Sequence, residues 1–148
     1  MKGDYLMSTV DEVREASKKF YAGLNRMANG EKNSLAAAWS QNGNATAMHP
    51  IGGREIGWKA VEDSFNQVAG VASDGKIELK DQMIYDLGDA AYEVGIEKAQ
   101  FKIAGQDVRG EIRVTNIYQK ENGSWKMVHH HTDIAPAMIE ALQKLQSK

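Results

Sequence analysis

Apolar residues near the start of the chain recur at spacings of three and four, which is the period of an amphipathic helix. These residues are Val13, Ala16, Phe20, Leu24 and Met27. Residues 8–11, with the sequence Ser-Thr-Val-Asp, are suited to capping the start of such a helix, and Asn29-Gly30 are suited to ending it. The pattern therefore predicts an N-terminal helix of about five turns.

Shorter patterns organise the next part of the chain. An alanine-rich stretch at residues 34–39 predicts a second, short helix. Residues 45–49 predict a short strand, and the glycine-rich residues 50–57 predict a loop. Residues 58–69 place Val61, Phe65 and Val68 on one side and predict a further helix.

After residue 75 the apolar period changes to two, as expected for strands. Turn sequences divide this region into four predicted strands, at about 76–86, 90–103, 108–120 and 125–134. Pro136 then begins a last helix. Helices followed by an antiparallel meander predict an α+β fold, with the helices packed on one face of a curved, mainly antiparallel sheet.

Length and composition narrow the class of protein. With 148 residues, the chain predicts a single domain over residues 8–148, preceded by a disordered lead over 1–7. The net charge of −2 and the lack of a dense basic patch argue against a nucleic-acid partner. No apolar run is long enough to suggest a membrane partner, and the absence of cysteine fits a cytoplasmic location. The glycine-rich loop lacks a phosphate-binding pattern, and we expect no cofactor.

Three adjacent histidines in the last predicted strand are the first chemical candidates. Strict alternation places His129 and His131 on one face, together with Trp125, Met127 and Asp133. It places His130 on the other face with Val128 and Thr132, although a β-bulge would reverse this assignment. Hydrogen bonds within the sheet or an interface are the plain structural explanation for all three histidines.

A metal site is an alternative interpretation of the same run. His129 and His131 on one face lie ~6.5–7 Å apart at their Cα atoms, from the rise of a strand. With Asp133 they could form a set of two histidines and one carboxylate, and His49 is a possible fourth ligand. The expectation nevertheless remains that no metal is bound.

The order of these motifs resembles the nuclear-transport-factor-2-like superfamily. The resemblance covers residues 10–135 and is greatest to SnoaL-like proteins and to the association domain of calcium/calmodulin-dependent protein kinase II. The motifs that carry it are Glu111-Ile112-Arg113-Val114, Gly123-Ser124-Trp125 and Val128-His129-His130-His131. It implies a cone-shaped half-barrel with a pocket between the helices and the concave sheet, and a homodimer formed through the outer sheet face.

The resemblance also nominates residues for the pocket. The arginine of the matching Glu-x-Arg-Val motif points into the pocket of the kinase association domain, so Arg113 is a candidate anion ligand. An ion pair of Arg113 with Glu97 or Glu93 is the structural alternative. The same match places Glu97 and Thr132 where that domain has further arginines, and it makes His130 the pocket histidine. Further candidates for the pocket are His49, for which a strand-end cap is the favoured alternative, and Trp58, Tyr21 and Trp39.

Two functions remain open from the sequence. The first is a dimeric domain that binds an unidentified small molecule without chemistry of its own. The second is an enzyme in the style of SnoaL or ketosteroid isomerase, acting on a carbonyl or polycyclic substrate. In that case Glu97 or His130 would be the base and Arg113 would stabilise an oxyanion. The superfamily includes both enzymes and binding proteins, so the fold cannot decide between them.

Overall fold

The structure, a computed structural model, describes residues 7–146. Three helices pack on a six-stranded open sheet, in the strand order β2-β1-β6-β5-β4-β3. The elements are α1 (Thr9–Met27), β1 (Thr46–His49), β2 (Gly52–Ile56), α2 (Trp58–Ala69), β3 (Ala72–Asp86), β4 (Ala90–Ile103), β5 (Gln106–Glu121), β6 (Ser124–Thr132) and α3 (Pro136–Gln146). β1 pairs in parallel with β6, and all other neighbouring strands are antiparallel. The predicted α+β class is confirmed.

The first helix begins where its capping sequence predicts. The Ser8 side chain accepts a hydrogen bond from the backbone N–H of Asp11 at 3.1 Å, which satisfies one of the free donors of the first turn. The acidic residues Asp11 and Glu12 lie in this turn, where they interact favourably with the helix dipole. The apolar face is buried against the sheet and includes Val13, Phe20 and Leu24.

The remaining predicted elements differ from the structure at two places. Residues 34–38 form turns and not a helix, because the side chain and the carbonyl group of Ser34 form hydrogen bonds with α1. Ser34 Oγ donates to the carbonyl of Gly23, and the carbonyl of Ser34 accepts from Arg26. The predicted loop at 50–57 contains the strand β2, which forms a tight hairpin with β1 and uses positive φ angles at Gly52 and Gly53.

The core lies between the inner face of the sheet and the helices α1 and α2. Side chains from both layers are completely or almost completely buried, and the largest of them are Phe20, Trp39, Phe101, Ile103, Tyr118 and Met127. Burial of each such side chain contributes on the order of 2–3 kcal/mol relative to exposure. This continuous apolar contact holds α1 and α2 against the inner face of the sheet.

A β-bulge in β6 changes which residues share a face. Ile117 pairs with His129, but its neighbour Tyr118 pairs with Met127, so Val128 is an extra residue without a partner on β5. Met127 and His130 therefore both face inward, and His130 is buried. Strict alternation had assigned these two residues to opposite faces, which is wrong. Because of the bulge, the side chains of the first half of the strand face the opposite way from the prediction, whereas His130 remains on the inner face.

The predicted domain limits remain a prediction. Residues 1–6 of the expected disordered lead, and the final residues 147–148, lie outside the described residues. Among residues 7–146, no helix combines the length and the apolar character needed to cross a membrane.

Candidate functional site

A small cavity opens between the three helices and the inner faces of β4, β5 and β6. Its volume is about 60 Å³, which is room for about two water molecules. Most of its wall is apolar and comes from Leu24, Met27, Phe65, Phe101, Val108 and Met138. Three buried ionisable side chains interrupt this wall, namely Glu97, His130 and His49, and the exposed Arg109 also contributes to it. An apolar cavity with a few polar groups is typical of small-molecule sites.

Glu97 lies on the inner face of β4 and is almost completely buried. Its Oε2 atom accepts a hydrogen bond of 2.8 Å from the hydroxyl of Tyr21. Burial raises the pKa of Glu97 to about 7, the Tyr21 hydrogen bond opposes this shift, and the charge of Glu93 adds to it. Near neutral pH the carboxyl group therefore exists in both its protonated and its ionised form.

His130 lies beside Glu97 on the inner face of β6. Its Nδ1 atom is 2.6 Å from Oδ1 of Asn116, whereas its Nε2 atom is 3.9 Å from Oε2 of Glu97. The second distance is too long for a hydrogen bond. Burial lowers the pKa of His130 well below its usual value, and the nearby histidines lower it further. The ring is therefore neutral at neutral pH.

His49 is the third ionisable group, at the end of β1. Its Nε2 atom is 2.7 Å from Oγ of Ser64, and that hydroxyl donates to the carbonyl of Val61 at 2.6 Å. Its ring packs against Phe65, with the ring centres 4.7 Å apart. Burial lowers the pKa of His49 to about 4, so this ring is also neutral near pH 7.

Each of the three groups has one polar atom that makes no hydrogen bond. These atoms are Oε1 of Glu97, Nε2 of His130 and Nδ1 of His49. Among residues 7–146, Trp39 Nε1 is the single fully buried side-chain polar atom without a partner. The three atoms must therefore reach open space, and the cavity that these residues line supplies it.

A second carboxylate, Glu93, lies behind this group and has no exposed surface. Its oxygens accept hydrogen bonds from the side chains of Gln82, Asn116 and Tyr118. Asn116 also donates to the Tyr21 hydroxyl at 3.1 Å. A continuous hydrogen-bonded network therefore connects Glu93 with both Glu97 and His130.

Arg113 lies on the opposite face of the sheet from the cavity, so its expected position in the pocket is wrong. Its side chain is 81% exposed and forms a two-pronged ion pair with Asp133, with N···O distances of 2.8 and 3.0 Å. The alternative ion pair with Glu97 or Glu93 is wrong as well. The neighbouring Ile112 contributes to the cavity wall in its place.

Comparison with known proteins agrees with this architecture. A family model described as "SnoaL-like domain" matches residues 13–137. The chain belongs to the SnoaL-like domain family. Comparison of this SnoaL-like domain with curated protein sequences gives no match.

Solved structures place the SnoaL-like domain in the wider NTF2-like fold. A candidate dehydratase of the NTF2-like family from Streptomyces avermitilis has 22% identity and a TM-score of 0.74, over 84% of this chain and 94% of that one. The CaMKII hub of S. rosetta has 20% identity and a TM-score of 0.69, over 87% and 98%. A candidate ketosteroid isomerase from Shewanella frigidimarina has 21% identity and a TM-score of 0.65, over 80% and 92%. The resemblance identified in the sequence is confirmed, and these similarities show the fold alone.

The other predicted site residues of the SnoaL-like domain lie around the cavity but do not line it. Tyr21 holds Glu97, and Trp39 is buried in the core beside Trp58, with the ring centres 6.2 Å apart. Thr132 is buried, and its hydroxyl is 3.5 Å from the carbonyl of Met48. None of these four side chains is among the lining residues of the cavity.

The structure does not assemble the alternative metal site. His129 and His131 have ring centres 5.8 Å apart on the outer face, but Asp133 is held by Arg113 and His49 lies on the inner side. Within the described part of the chain, no group of three or more histidine, aspartate or glutamate side chains could hold a metal ion.

Sequence reasoning missed Asn116 and Ser64, which orient the two cavity histidines. Glu93 appeared there as a possible partner of Arg113 and not as part of a network. One signal in the sequence was usable, because Asn116 interrupts the apolar inner positions of a strand that also include Val114 and Tyr118. A buried amide needs several partners, and this requirement predicts a polar network at that position.

Proposed function

We propose that this SnoaL-like domain binds a small, mostly apolar molecule in the cavity between its helices and sheet. The observation that carries the proposal is the set of three polar atoms on Glu97, His130 and His49 that make no hydrogen bond within the protein, in a mostly apolar wall. The cavity has room for about two waters, and a ligand with matching groups would supply hydrogen-bond partners for these atoms. These three side chains are candidate ligand contacts, and Tyr21 holds the carboxyl group of Glu97 in place by a hydrogen bond.

A ligand larger than two waters would require the cavity to widen. Met27 and Met138 form part of the wall, and unbranched methionine side chains can change shape at low cost. Met138 belongs to α3, whose single fully buried residue is Ala141. A modest displacement of these side chains, and of this lightly packed helix, would therefore admit a ring-sized molecule.

Phenol is a suitable probe for the proposed binding. We expect it to shift the amide resonances of residues around the cavity in two-dimensional NMR spectra. The variant Ala99→Val places two extra carbons in the cavity wall and should abolish these shifts. Gln100→Val adds the same side chain at the next, exposed position of β4 and should leave them intact. Equal responses of both variants would refute binding in this cavity.

A proton-transfer enzyme is the second candidate, and the position of Glu97 favours it. Its carboxyl group faces the cavity and has a pKa raised to about 7, which suits a general base near neutral pH. The ionised carboxylate would take a proton from the carbon next to a ketone and return it to a carbon further along the conjugated system. The two similar proteins assigned as a candidate isomerase and a candidate dehydratase support this class of chemistry.

Conversion of 3-cyclohexenone to 2-cyclohexenone tests the enzymatic candidate. The reaction produces a conjugated ketone and is followed by ultraviolet absorbance. If Glu97 is the base, the rate should rise with pH to a plateau above about 7, and Glu97→Gln should lower it by about 10²–10⁴-fold. Glu111→Gln changes an exposed glutamate on β5 and should keep the full rate. Equal rates for the two variants would reject Glu97 as the base.

We also propose that two copies associate through the outer sheet face. This face exposes Met83 and Tyr85, and Tyr85 stacks on Tyr92 with the ring centres 4.8 Å apart. The CaMKII hub among the similar structures supports an oligomeric assembly. Analytical ultracentrifugation should find a dimer that Tyr85→Glu converts to a monomer. Leu87→Glu, at an exposed turn position, is the control that should remain dimeric.

The cytoplasmic location expected from the cysteine-free sequence remains part of the proposal. Fractionation of cells that express the full chain tests it, and recovery in a membrane or secreted fraction would contradict it.

A further inference from the structure

The carboxylate of Glu93 sets the direction of the hydrogen bonds around the cavity. It accepts bonds of 2.6, 2.9 and 2.8 Å, which come from Gln82 Nε2, Asn116 Nδ2 and Tyr118 OH. All three neighbours donate to the two oxygens of Glu93 in the structure. Glu93 is thus the acceptor of this network, and Asn116 turns its NH₂ group toward it.

Asn116 fixes the direction of the hydrogen bond that it shares with His130. Because its NH₂ group is directed at Glu93 and Tyr21, its carbonyl oxygen is directed at His130 and can only accept. The Nδ1 atom of His130, 2.6 Å away, must then carry the proton and donate. In a neutral ring this leaves Nε2 without a proton. The atom that reaches the cavity is therefore a hydrogen-bond acceptor.

His49 is fixed in the opposite tautomer by a separate chain of bonds. The single hydroxyl proton of Ser64 is donated to the carbonyl of Val61 at 2.6 Å. Ser64 Oγ must then accept from Nε2 of His49. Nδ1 of His49 is left without a proton, and it is a second acceptor at the cavity.

Glu97 supplies a hydrogen-bond donor, which complements the two acceptor nitrogens. Its Oε2 atom accepts from Tyr21, so the proton of the neutral carboxyl group belongs on Oε1, which has no partner. The carboxyl proton is then a donor at the cavity. Glu97 Oε2 and His130 Nε2 are 3.9 Å apart and form no hydrogen bond with each other. Oε1 of Glu97 and Nε2 of His130 therefore both remain available to a ligand in the cavity.

We infer that the cavity selects small apolar molecules that carry a hydroxyl group, or another hydrogen-bond donor, over molecules of similar shape that can only accept. The inference rests on the proposed binding function. A hydroxyl group can donate to His130 and accept from Glu97 at the same time. An ether or a ketone can accept from Glu97 but leaves the nitrogen of His130 buried and unpaired, which is costly. Glu93 and Asn116 act here as positioning residues for His130.

The tautomers can be measured without any ligand. Correlations between ring protons and ring nitrogens in ¹⁵N NMR distinguish a protonated nitrogen from an unprotonated one. We expect the proton of His130 on Nδ1 and that of His49 on Nε2. A proton on Nε2 of His130 would overturn the inference directly. Because the wild-type chain is used, this measurement does not depend on the folding of a variant.

The variant Glu93→Gln tests the positioning role. A glutamine at 93 can itself donate, so Asn116 is free to turn over and His130 should become a mixture of tautomers. His49 does not depend on Glu93 and is the internal control in the same spectrum. A His130 tautomer unchanged in this folded variant would refute the role of Glu93.

Ligand preference is tested with phenol and anisole, its methyl ether, which can only accept. We expect phenol to bind at least about tenfold more tightly, as measured from the NMR shifts during titration. Equal or tighter binding of anisole would overturn the inference. Failure of both probes to bind would reject the binding function and with it the preference, whereas the tautomer result would still decide the arrangement of the network.

Discussion

The buried carboxyl group of Glu97 should make the free energy of unfolding depend on pH in an unusual direction. Burial is the main reason that its pKa in the folded chain is about 7 instead of 4.5. The raised pKa means that the folded chain retains a proton which the unfolded chain releases. The stabilising contribution is therefore fully present below pH 4.5 and is lost as the pH rises through about 7.

The size of this effect follows from the difference between the two pKa values. Each pKa unit corresponds to about 1.4 kcal/mol, so the contribution that is lost amounts to roughly 3 kcal/mol. The group is almost completely buried, so screening by solvent reduces it little. A loss of this size is large beside the usual stability of a single domain, which is about 5–15 kcal/mol.

Histidines act in the opposite direction in the same pH range. Burial lowers the pKa of His49 from 6.5 to about 4, so its contribution is present above pH 6.5 and is lost as the pH falls to 4. His130, whose pKa is also lowered, adds an effect of the same sign. The wild-type curve is a sum of these effects, and a difference between two proteins is needed to isolate Glu97.

The variant Glu97→Gln provides this difference, because glutamine keeps the shape and does not titrate. Urea unfolding of both proteins is measured at pH values from about 4.5 to about 7.5. Over this range, the stability of the variant relative to wild type should increase by roughly 3 kcal/mol. Glu111→Gln, at an exposed position of β5, should give a constant difference. A constant difference for Glu97→Gln as well would refute the reasoning.

Three further predictions concern packing, capping and the outer face. Gly95→Ala should destabilise the fold by about 1–3 kcal/mol in urea unfolding, because the new Cβ would lie 2.7 Å from Leu79 and 2.9 Å from a backbone oxygen. Gly110→Ala, whose Cβ would meet nothing within 4 Å, is the control that should lose much less. Ser8→Ala should cost about 0.5–2 kcal/mol by loss of the helix cap, and an unchanged urea midpoint would contradict this. Arg113→Gln should leave the phenol-induced NMR shifts around the cavity unchanged, since the side chain lies on the other face.

Local sequence patterns were sufficient to predict most of the helices and strands. The helix α2 has the predicted limits, and the four strands of the meander occur where the turn sequences divide the chain. Residues 34–38 were harder to predict, because alanine favours a helix in isolation but the hydrogen bonds of Ser34 to α1 decide otherwise. These hydrogen bonds join residues eight and eleven positions apart, and the three- and four-residue spacing of a helical pattern does not contain them.

The error over Arg113 has a different origin. In the stretch from Glu111 to Thr115 the apolar residues Ile112 and Val114 alternate with polar ones. This period of two by itself predicts that Arg113 faces outward, as it does. The assignment to the pocket came from the resemblance to the kinase association domain. Alternation in this chain was the better guide at that position.

The two polar networks could be anticipated only in part. The buried positions of Glu97 and His130 were expected from the resemblance, and both residues line the cavity. Their orientation depends on Asn116, which pairs with His130 across neighbouring strands. To predict that pairing, one must know the register of β5 and β6. The register depends on a bulge that no turn sequence indicates.

The bulge at Val128 gives β6 two sections that can vary independently during evolution. The first section, with Trp125 and Met127, belongs to the packed core, and the second, with His130 and Thr132, reaches toward the cavity. Deletion of the extra residue Val128 would restore strict alternation, with Met127 inward, His129 outward and His130 inward, so neither section would turn over. The strand should therefore tolerate the loss of one residue at this point and still present His130 at the cavity.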